Sequence, residues 1–415
     1  MSKTKYLEQI ETIKKILLFV LLNSSIYLAI QTTAPNGPIR MVIVVLMLAS
    51  VYMLIRSFIT MYKREFDANL YFKLLFTLLV GWSIFTIFRS FSPNPKTLIT
   101  LFGHLFMGWT WMVPLAIIFG FNIRTWLHLF DFIGKILLVG SIIGLGVAFY
   151  SIPTIFGVLE WMTFLPILFI TYFYQNKRNK QIVIFATIMF IVLTIFASQR
   201  TNFLFLGLMV LGMLFEFYRQ SEVSILKKLA VFYVVVISVL LFAYQAEDVY
   251  NNLANDDEVT SDTRTFLFEE LYADMDEVDL TIGRGALGTY YSPYFEALAK
   301  SGIEGGDSST RSASEVGYLH IILKGGYVMM ALYILILLPA AFLGIFKSNN
   351  IISRMSGYYI LSHLILWTIS YGPMYSPKFI LLWMAAGSAI STTGRKIKNR
   401  DLLVNNNGRI EFAKE

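Results

Sequence analysis

Arg200 stands in Ala197-Ser198-Gln199-Arg200-Thr201-Asn202, wedged between two apolar runs with almost no loop to separate them. A guanidinium held so close to a membrane face suits a phosphate, because its planar fork makes two charge-assisted hydrogen bonds. A helix start, where free amides favour an anion, adds to that fit. The alternative is a turn residue that snorkels to water. Arg264 and Arg284 lie in a long polar stretch further on, with carboxylates all around them. Each reads either as an anion ligand or as half of a structural ion pair. Arg284 sits inside Gly283-Arg284-Gly285-Ala286-Leu287-Gly288, a glycine-rich turn followed by Tyr290, Tyr291 and Tyr294. Such glycines occur in many tight turns. The tyrosines suit stacking on sugar rings, or anchoring at a membrane interface.

Glu315 opens Glu315-Val316-Gly317-Tyr318-Leu319-His320, where the polar stretch gives way to an apolar run. Burial at such a boundary raises a carboxylate's pKa and suits it to act as a general base. The competing reading is a helix-start carboxylate that complements the helix dipole. His320 follows five positions on, about 140° round a helix, so it need not share the face of Glu315. His104, His128 and His363 are isolated in apolar segments and read as core residues.

Other chemistries fail on spacing. Asp274-Met275-Asp276-Glu277-Val278-Asp279 looks calcium-like, but an EF-hand loop needs glycine at its sixth position and glutamate at its twelfth. Asp279 and Gly285 stand there instead. No histidine pair has zinc spacing and no nucleotide phosphate loop is present. There are no cysteines, so no disulfide or thiolate site can form. No metal or cofactor is expected.

The elements that must position these residues follow from the solvent. The chain is 56% hydrophobic and 15% charged, against about 25% charged in soluble domains. Its apolar residues fall in blocks long enough for the roughly 20 helical residues that cross a bilayer. Barrel strands would instead alternate in units of about ten. The expected fold is an all-α integral membrane protein with about twelve transmembrane helices. They fall at 13–30, 39–62, 70–88, 97–119, 132–150, 157–174, 181–197, 201–217, 229–245, 316–346, 355–371 and 378–392. The first block shows no cleavage site and reads as a retained signal anchor. With these spans, 22 of the 34 Lys and Arg fall on one side, including Lys177, Arg178, Lys180 and the tail from 393 to 415. The positive-inside rule makes that side, with both termini, cytoplasmic. Nucleic-acid binding is not implied, because the charges are scattered over short loops.

Residues 1–245 thus carry spans one to nine and 315–392 spans ten to twelve. Between them, residues 246–314 form one large extracytoplasmic loop holding 15 acidic residues against Arg264, Arg284, Lys300 and Arg311. A loop this long is usually functional or disordered. Part of it reads as a helix capped by Ser261 or Asp262, with Leu267, Leu271, Met275 and Val278 at helical intervals.

This arrangement resembles the O-antigen polymerase (Wzy) and O-antigen ligase superfamily of membrane glycosyltransferases. The residues that carry the likeness are Ser198-Gln199-Arg200, Arg264, Gly283-Arg284-Gly285, and Glu315-Val316-Gly317-Tyr318-Leu319 with Gly325-Gly326. The ligases typically begin the last of these helices His-Asn; Glu315-Val316 stands here instead and argues for a polymerase. The resemblance implies metal-independent, inverting transfer at the outer face of a bacterial inner membrane. A glycan on polyprenyl pyrophosphate would be the donor and a second lipid-linked repeat unit the acceptor. It further implies Arg200 and Arg264 on the pyrophosphate, with Arg284 as a further phosphate residue and Glu315 as base. Membrane lipids and a chain-length regulator protein would be the partners. The alternatives are a ligase, or a transporter or flippase of lipid-linked oligosaccharide. Against the latter stand the lack of half-to-half similarity and the concentration of polarity in one outer loop.

Overall fold

The computed structural model describes residues 3–33, 38–104, 106–123, 200–219, 265–301, 309–370 and 372–399, with isolated positions between 125 and 224. These residues are almost entirely helical. In chain order, α1 spans Lys3–Thr33, α2 Pro38–Glu65, α3 Leu70–Arg89, α4 Pro95–Phe102 and α5 Ile117–Gly120, the last preceded by a 3-10 segment Gly108–Ala116. Further on, α6 spans Arg200–Arg219, α7 Thr265–Asp274, α8 Glu277–Ile282 and α9 Pro293–Ser301. The long α10 covers Gly317–Lys347, followed by α11 Ile351–Leu366 and α12 Pro377–Ile390. Two short strands, β1 Tyr290–Tyr291 and β2 Thr310–Arg311, pair antiparallel with Tyr290 opposite Arg311. Among the described residues three helices are long and apolar enough to cross a membrane: Val44–Lys63 within α2, then α3 and α10.

Local sequence sets the helix starts. Asn69 caps α3 by accepting from Phe72 N at 3.1 Å, and Asn350 caps α11 by accepting from Ser353 N at 2.9 Å. Asn94 and Ser376 cap α4 and α12, each followed by proline at the first helical position. Proline fits there because its missing N–H would have had no partner in the first turn. Side chains such as Leu70, Leu74, Leu78, Phe85, Phe88, Leu335, Phe342 and Phe346 are exposed on α3 and α10. An apolar outer face of this kind suits lipid rather than water. Inside, α10 and α11 approach closely at Gly344 and Gly357, where a Cβ on Gly344 would stand 2.8 Å from the Ser353 carbonyl oxygen. Small residues of this kind let helix backbones pack without a large side chain between them.

The expected span 97–119 is not one helix. Its hydropathy is continuous, but α4 ends at Gly103 and the chain turns into the 3-10 segment containing Pro114. The expected spans 132–150, 157–174, 181–197 and 229–245 lie outside the described residues, bar single positions.

The two ends of the bundle differ. At one, Asp67 accepts from Thr393 N at 2.6 Å and from the Thr392 hydroxyl, while Asn349 N donates to Arg395 O at 2.8 Å. Burial opposes the charge on Asp67, but these bonds outweigh it and hold its pKa below the usual value. The buried Glu216–Arg354 ion pair, at 2.7 Å, ties α6 to α11 near the same end. Lys63, Lys347, Arg395, Lys396 and Lys398 gather there. The other end holds residues 265–301 and 309–315 and the start of α10.

Candidate functional site

The centre of the arrangement is a break in α10. Gly326 has φ 70° and ψ −176°, a backbone region that only glycine adopts without strain. The chain straightens there for one residue, so carbonyls one turn before lose their helical partners. The glycine-rich turn fills the gap. Arg284 N donates to Leu323 O at 2.8 Å and Gly285 N to Lys324 O at 3.0 Å. From α3, the Trp82 indole donates to Gly325 O at 2.7 Å. The next residues of the turn bond to the end of α3: Ala286 N to Thr86 O at 2.9 Å and Leu287 N to Ser90 Oγ at 2.9 Å. Gly283, with φ 75°, comes so near the Lys324–Gly325 backbone that no side chain fits. The described part of this loop therefore belongs to the helix bundle, joined to it through hydrogen bonds to backbone and side chains.

Arg284 serves this turn. Its Nε donates to Asp279 at 2.6 Å, Nη1 to Thr289 O at 2.8 Å and to Asp274, and Nη2 to the Asp274 carbonyl. Burial works against its charge, yet the bonds to Asp279 and Asp274 prevail and push its pKa up. Arg89 adds a contact to Asp279 at 3.4 Å. Of the two readings open in the sequence, the structural ion pair is the one these contacts describe.

The loop carries a small core of its own. Leu267, Leu271 and Met275 pack with Tyr290, Val316, Leu319, Ile322 and Leu323, so α7 rests on the first turns of α10. Val278, expected on the same helix face, is exposed instead. The chain leaves the helix after Asp274 and restarts at α8, where Asp276 caps by accepting from Asp279 N at 2.7 Å. The expected caps Ser261 and Asp262 lie outside the described residues, as does Arg264.

Glu315 lies just before α10, half-buried, and faces Arg311 at 3.5 Å. The lone, desolvated carboxylate expected from sequence has a counter-charge, because the β1–β2 pairing brings Arg311 alongside. Arg311 in turn lies flat over the Phe295 ring, its Cζ 3.5 Å from the centroid. Tyr290, expected as a sugar-facing ring, is 1% exposed and packs in the loop core. Burial pushes its phenol up to about 12, and its hydroxyl finds no hydrogen-bond partner among the described residues. Tyr291 and Tyr294 are 41% and 45% exposed, Tyr291 bonded to Glu296 and Tyr294 against Phe266 with centroids 4.3 Å apart. Glu270 accepts from the Ser292 hydroxyl and from Tyr294 N at 2.9 Å.

Arg200 is the first described residue of α6. Helix α6 runs antiparallel to α11: Glu216 meets Arg354, and Phe205 meets His363 with ring centroids 5.2 Å apart. Arg200 therefore starts at the end of α11 where Trp367 and Ser370 carbonyls accept from the backbone of Tyr318 and Gly317. That is the same end as Glu315. Lys378, near 5.5 Å from the Phe205 centroid, lies there too.

Two buried polar groups lie in the span itself, and one of them, Lys324, escaped the sequence reading. Lys324 is fully buried, its Nζ donating to Gly288 O at 2.7 Å and lying 3.7 Å from Met107 Sδ. His320, one turn earlier, is buried between Phe106 and Trp111, with ring centroids 5.4 and 5.8 Å away. Neither of its nitrogens makes a hydrogen bond of good geometry to a described residue. A lone lysine inside an apolar run was the available signal. Among the described residues no group of three or more His, Asp or Glu is placed to hold a metal. No protein-family model matches the chain, and no curated protein matches it.

Proposed function

We propose that the chain is a multi-pass membrane glycosyltransferase that polymerises polyprenyl-pyrophosphate-linked repeat units at the outer face of a bacterial inner membrane. The observation that carries this reading is the position of Glu315. It sits at the mouth of α10, next to Val316 of a loop core joined by hydrogen bonds to the bundle, beside Arg311 and at the end where α6 begins. The gathering of basic residues at the opposite end supports a cytoplasmic assignment for that end, and the full topology would have about twelve spans with both termini inside.

In this reaction a sugar hydroxyl of the acceptor attacks the anomeric carbon of the donor from the face opposite the phosphate. A new carbon–oxygen bond forms as the bond to pyrophosphate breaks, and the electron pair leaves with the pyrophosphate. Glu315 takes the hydroxyl proton. Arg200 and Arg264 neutralise the leaving group, while Arg284 keeps the turn folded. Positioned charges of this kind act most where charge develops in the transition state. Tyr291 and Tyr294 offer ring faces to the glycan. A chain-length regulator protein is the partner such a polymerase would meet.

A second reading, transport of a lipid-linked oligosaccharide, draws on the broken helix and the buried Lys324, since transporters place substrates at such breaks. Here the freed carbonyls are already taken by Arg284 N, Gly285 N and the Trp82 indole, which leaves the break little to offer a cargo. The deciding experiment is Glu315→Gln in purified protein supplied with lipid-linked repeat units. The variant keeps shape and hydrogen bonding but cannot take the proton, so polymer should fall by about 10²–10⁴-fold. Long polymer at normal rate from this variant removes Glu315 from the base role.

A further inference from the structure

Arg284 and Arg311 are the two arginines of the loop among the described residues, and they are used differently. Arg284 donates from Nε, Nη1 and Nη2 to four protein acceptors. The Arg311 side chain has one ion-pair contact, from Nη2 to Glu315 at 3.5 Å, and no hydrogen bond to a described residue. Its guanidinium nevertheless sits over Phe295, and its backbone is fixed opposite Tyr290. A guanidinium seated over a ring, with edge donors that no described residue takes up in a hydrogen bond, is arranged for a fork on an oxyanion. The Tyr290 hydroxyl, buried and without a partner among the described residues, lies electrostatically close to Arg311, Glu270 and Glu315. It is a second donor in want of an acceptor in the same cluster.

We propose that Arg311 binds the pyrophosphate of the donor, and that Glu315 and Arg311 hold each other only until that anion arrives. This rests on the functional reading above and deepens it. The pair is half-exposed, with side chains 24% and 31% accessible. Exposed pairs at this spacing are weak, whereas a guanidinium–phosphate fork makes two charge-assisted bonds. The exchange therefore runs toward phosphate. Moving Arg311 off Glu315 uncovers the carboxylate, so donor binding readies the base. Without donor, the carboxylate stays covered.

The test is binding, separate from catalysis. The full chain is placed in phosphatidylcholine nanodiscs, and the affinities of farnesyl pyrophosphate and of inorganic pyrophosphate are measured. Glu315→Gln removes the competitor for Arg311 and should tighten both probes about two- to fivefold, the worth of an exposed ion pair. Arg311→Gln keeps a stem over Phe295 but loses the charge, and should weaken both about tenfold or more. Arg311→Lys should fall between them, since it keeps the charge and not the fork. Thermal unfolding of each variant confirms that it is folded. A folded Glu315→Gln that binds no tighter than wild type, or a folded Arg311→Gln that binds equally well, overturns the exchange. A Glu315→Gln gain seen only in discs containing phosphatidylglycerol assigns the site to a lipid headgroup and overturns the donor assignment. Because no turnover is read, these results are independent of whether Glu315 proves to be the base.

Discussion

Replacing Gly326 by alanine should separate the glycine-rich loop from the long helix it completes. The backbone at Gly326, φ 70° and ψ −176°, is open to glycine alone, and a Cβ there overlaps the Thr281 carbonyl. Holding alanine in such a region costs about 1–3 kcal/mol. Relieving the overlap pushes α8 and the turn outward, which breaks the bonds from Arg284 N and Gly285 N to two carbonyls. Each is worth about 0.5–1.5 kcal/mol net, and more where the carbonyl stays buried without a partner. The total is about 2–6 kcal/mol, a large part of the margin of an ordinary domain. The chain has no cysteine, so an Ala286→Cys background gives a single thiol at a position that is fully buried. A membrane-impermeant maleimide should leave that thiol unlabelled in the parent and label it when Gly326→Ala is added, with a lower melting temperature in detergent. Gly81→Ala is the control, because a Cβ at Gly81 meets nothing within 4 Å. If Gly326→Ala melts like the control and the thiol stays hidden, the turn does not depend on the break, and the account of the loop as part of the bundle is wrong.

A cysteine at Lys300, on the loop, should react with the same reagent in intact cells, and one at Lys396 only after the membrane is opened; the reverse pattern would invert the topology. In the polymerisation assay, Arg200→Ala should lose roughly 100-fold or more, as expected when one contact to a developing charge is removed. Lysine at that position should rescue poorly, and normal polymer from the alanine variant at matched protein level would take Arg200 out of the site.

Hydropathy made the long helices legible for a physical reason: in lipid the backbone must satisfy itself, so an apolar run of sufficient length has little choice but helix. The expected 39–62, 70–88 and 316–346 correspond closely to α2, α3 and α10. The same signal misled at 97–119, because hydropathy does not register how Gly103 and Pro114 interrupt a run of constant polarity. It also passed over Gly326, whose conformation is decided by groups from α3 and the loop that are far away in the chain. The site was partly readable. Glu315 and the glycine turn stood out by type and position, but whether Arg284 bound a ligand or a carboxylate depended on where Asp274 and Asp279 came to rest. Arg311 drew no notice, because only the β1–β2 pairing sets it beside Glu315 and over Phe295.

The geometry of the turn bears on how any substrate reaches this site. A lid that opens must break its contacts cheaply, and lids are drawn from the weakly held parts of a fold. The segment from Gly283 to Gly288 is the opposite: its amides complete α10 and α3, Lys324 donates to its last carbonyl, and Arg284 is bonded on several sides. Releasing it would strand buried carbonyls and an unpaired lysine inside the bundle, a cost of several kcal/mol. The loop half that bears Tyr291, Tyr294, Arg311 and Glu315 is tied to the bundle through the α7 core and this turn. Substrate access therefore does not require the described loop to swing away, and a lipid-linked donor would slide in along the membrane face while this framework stays in place.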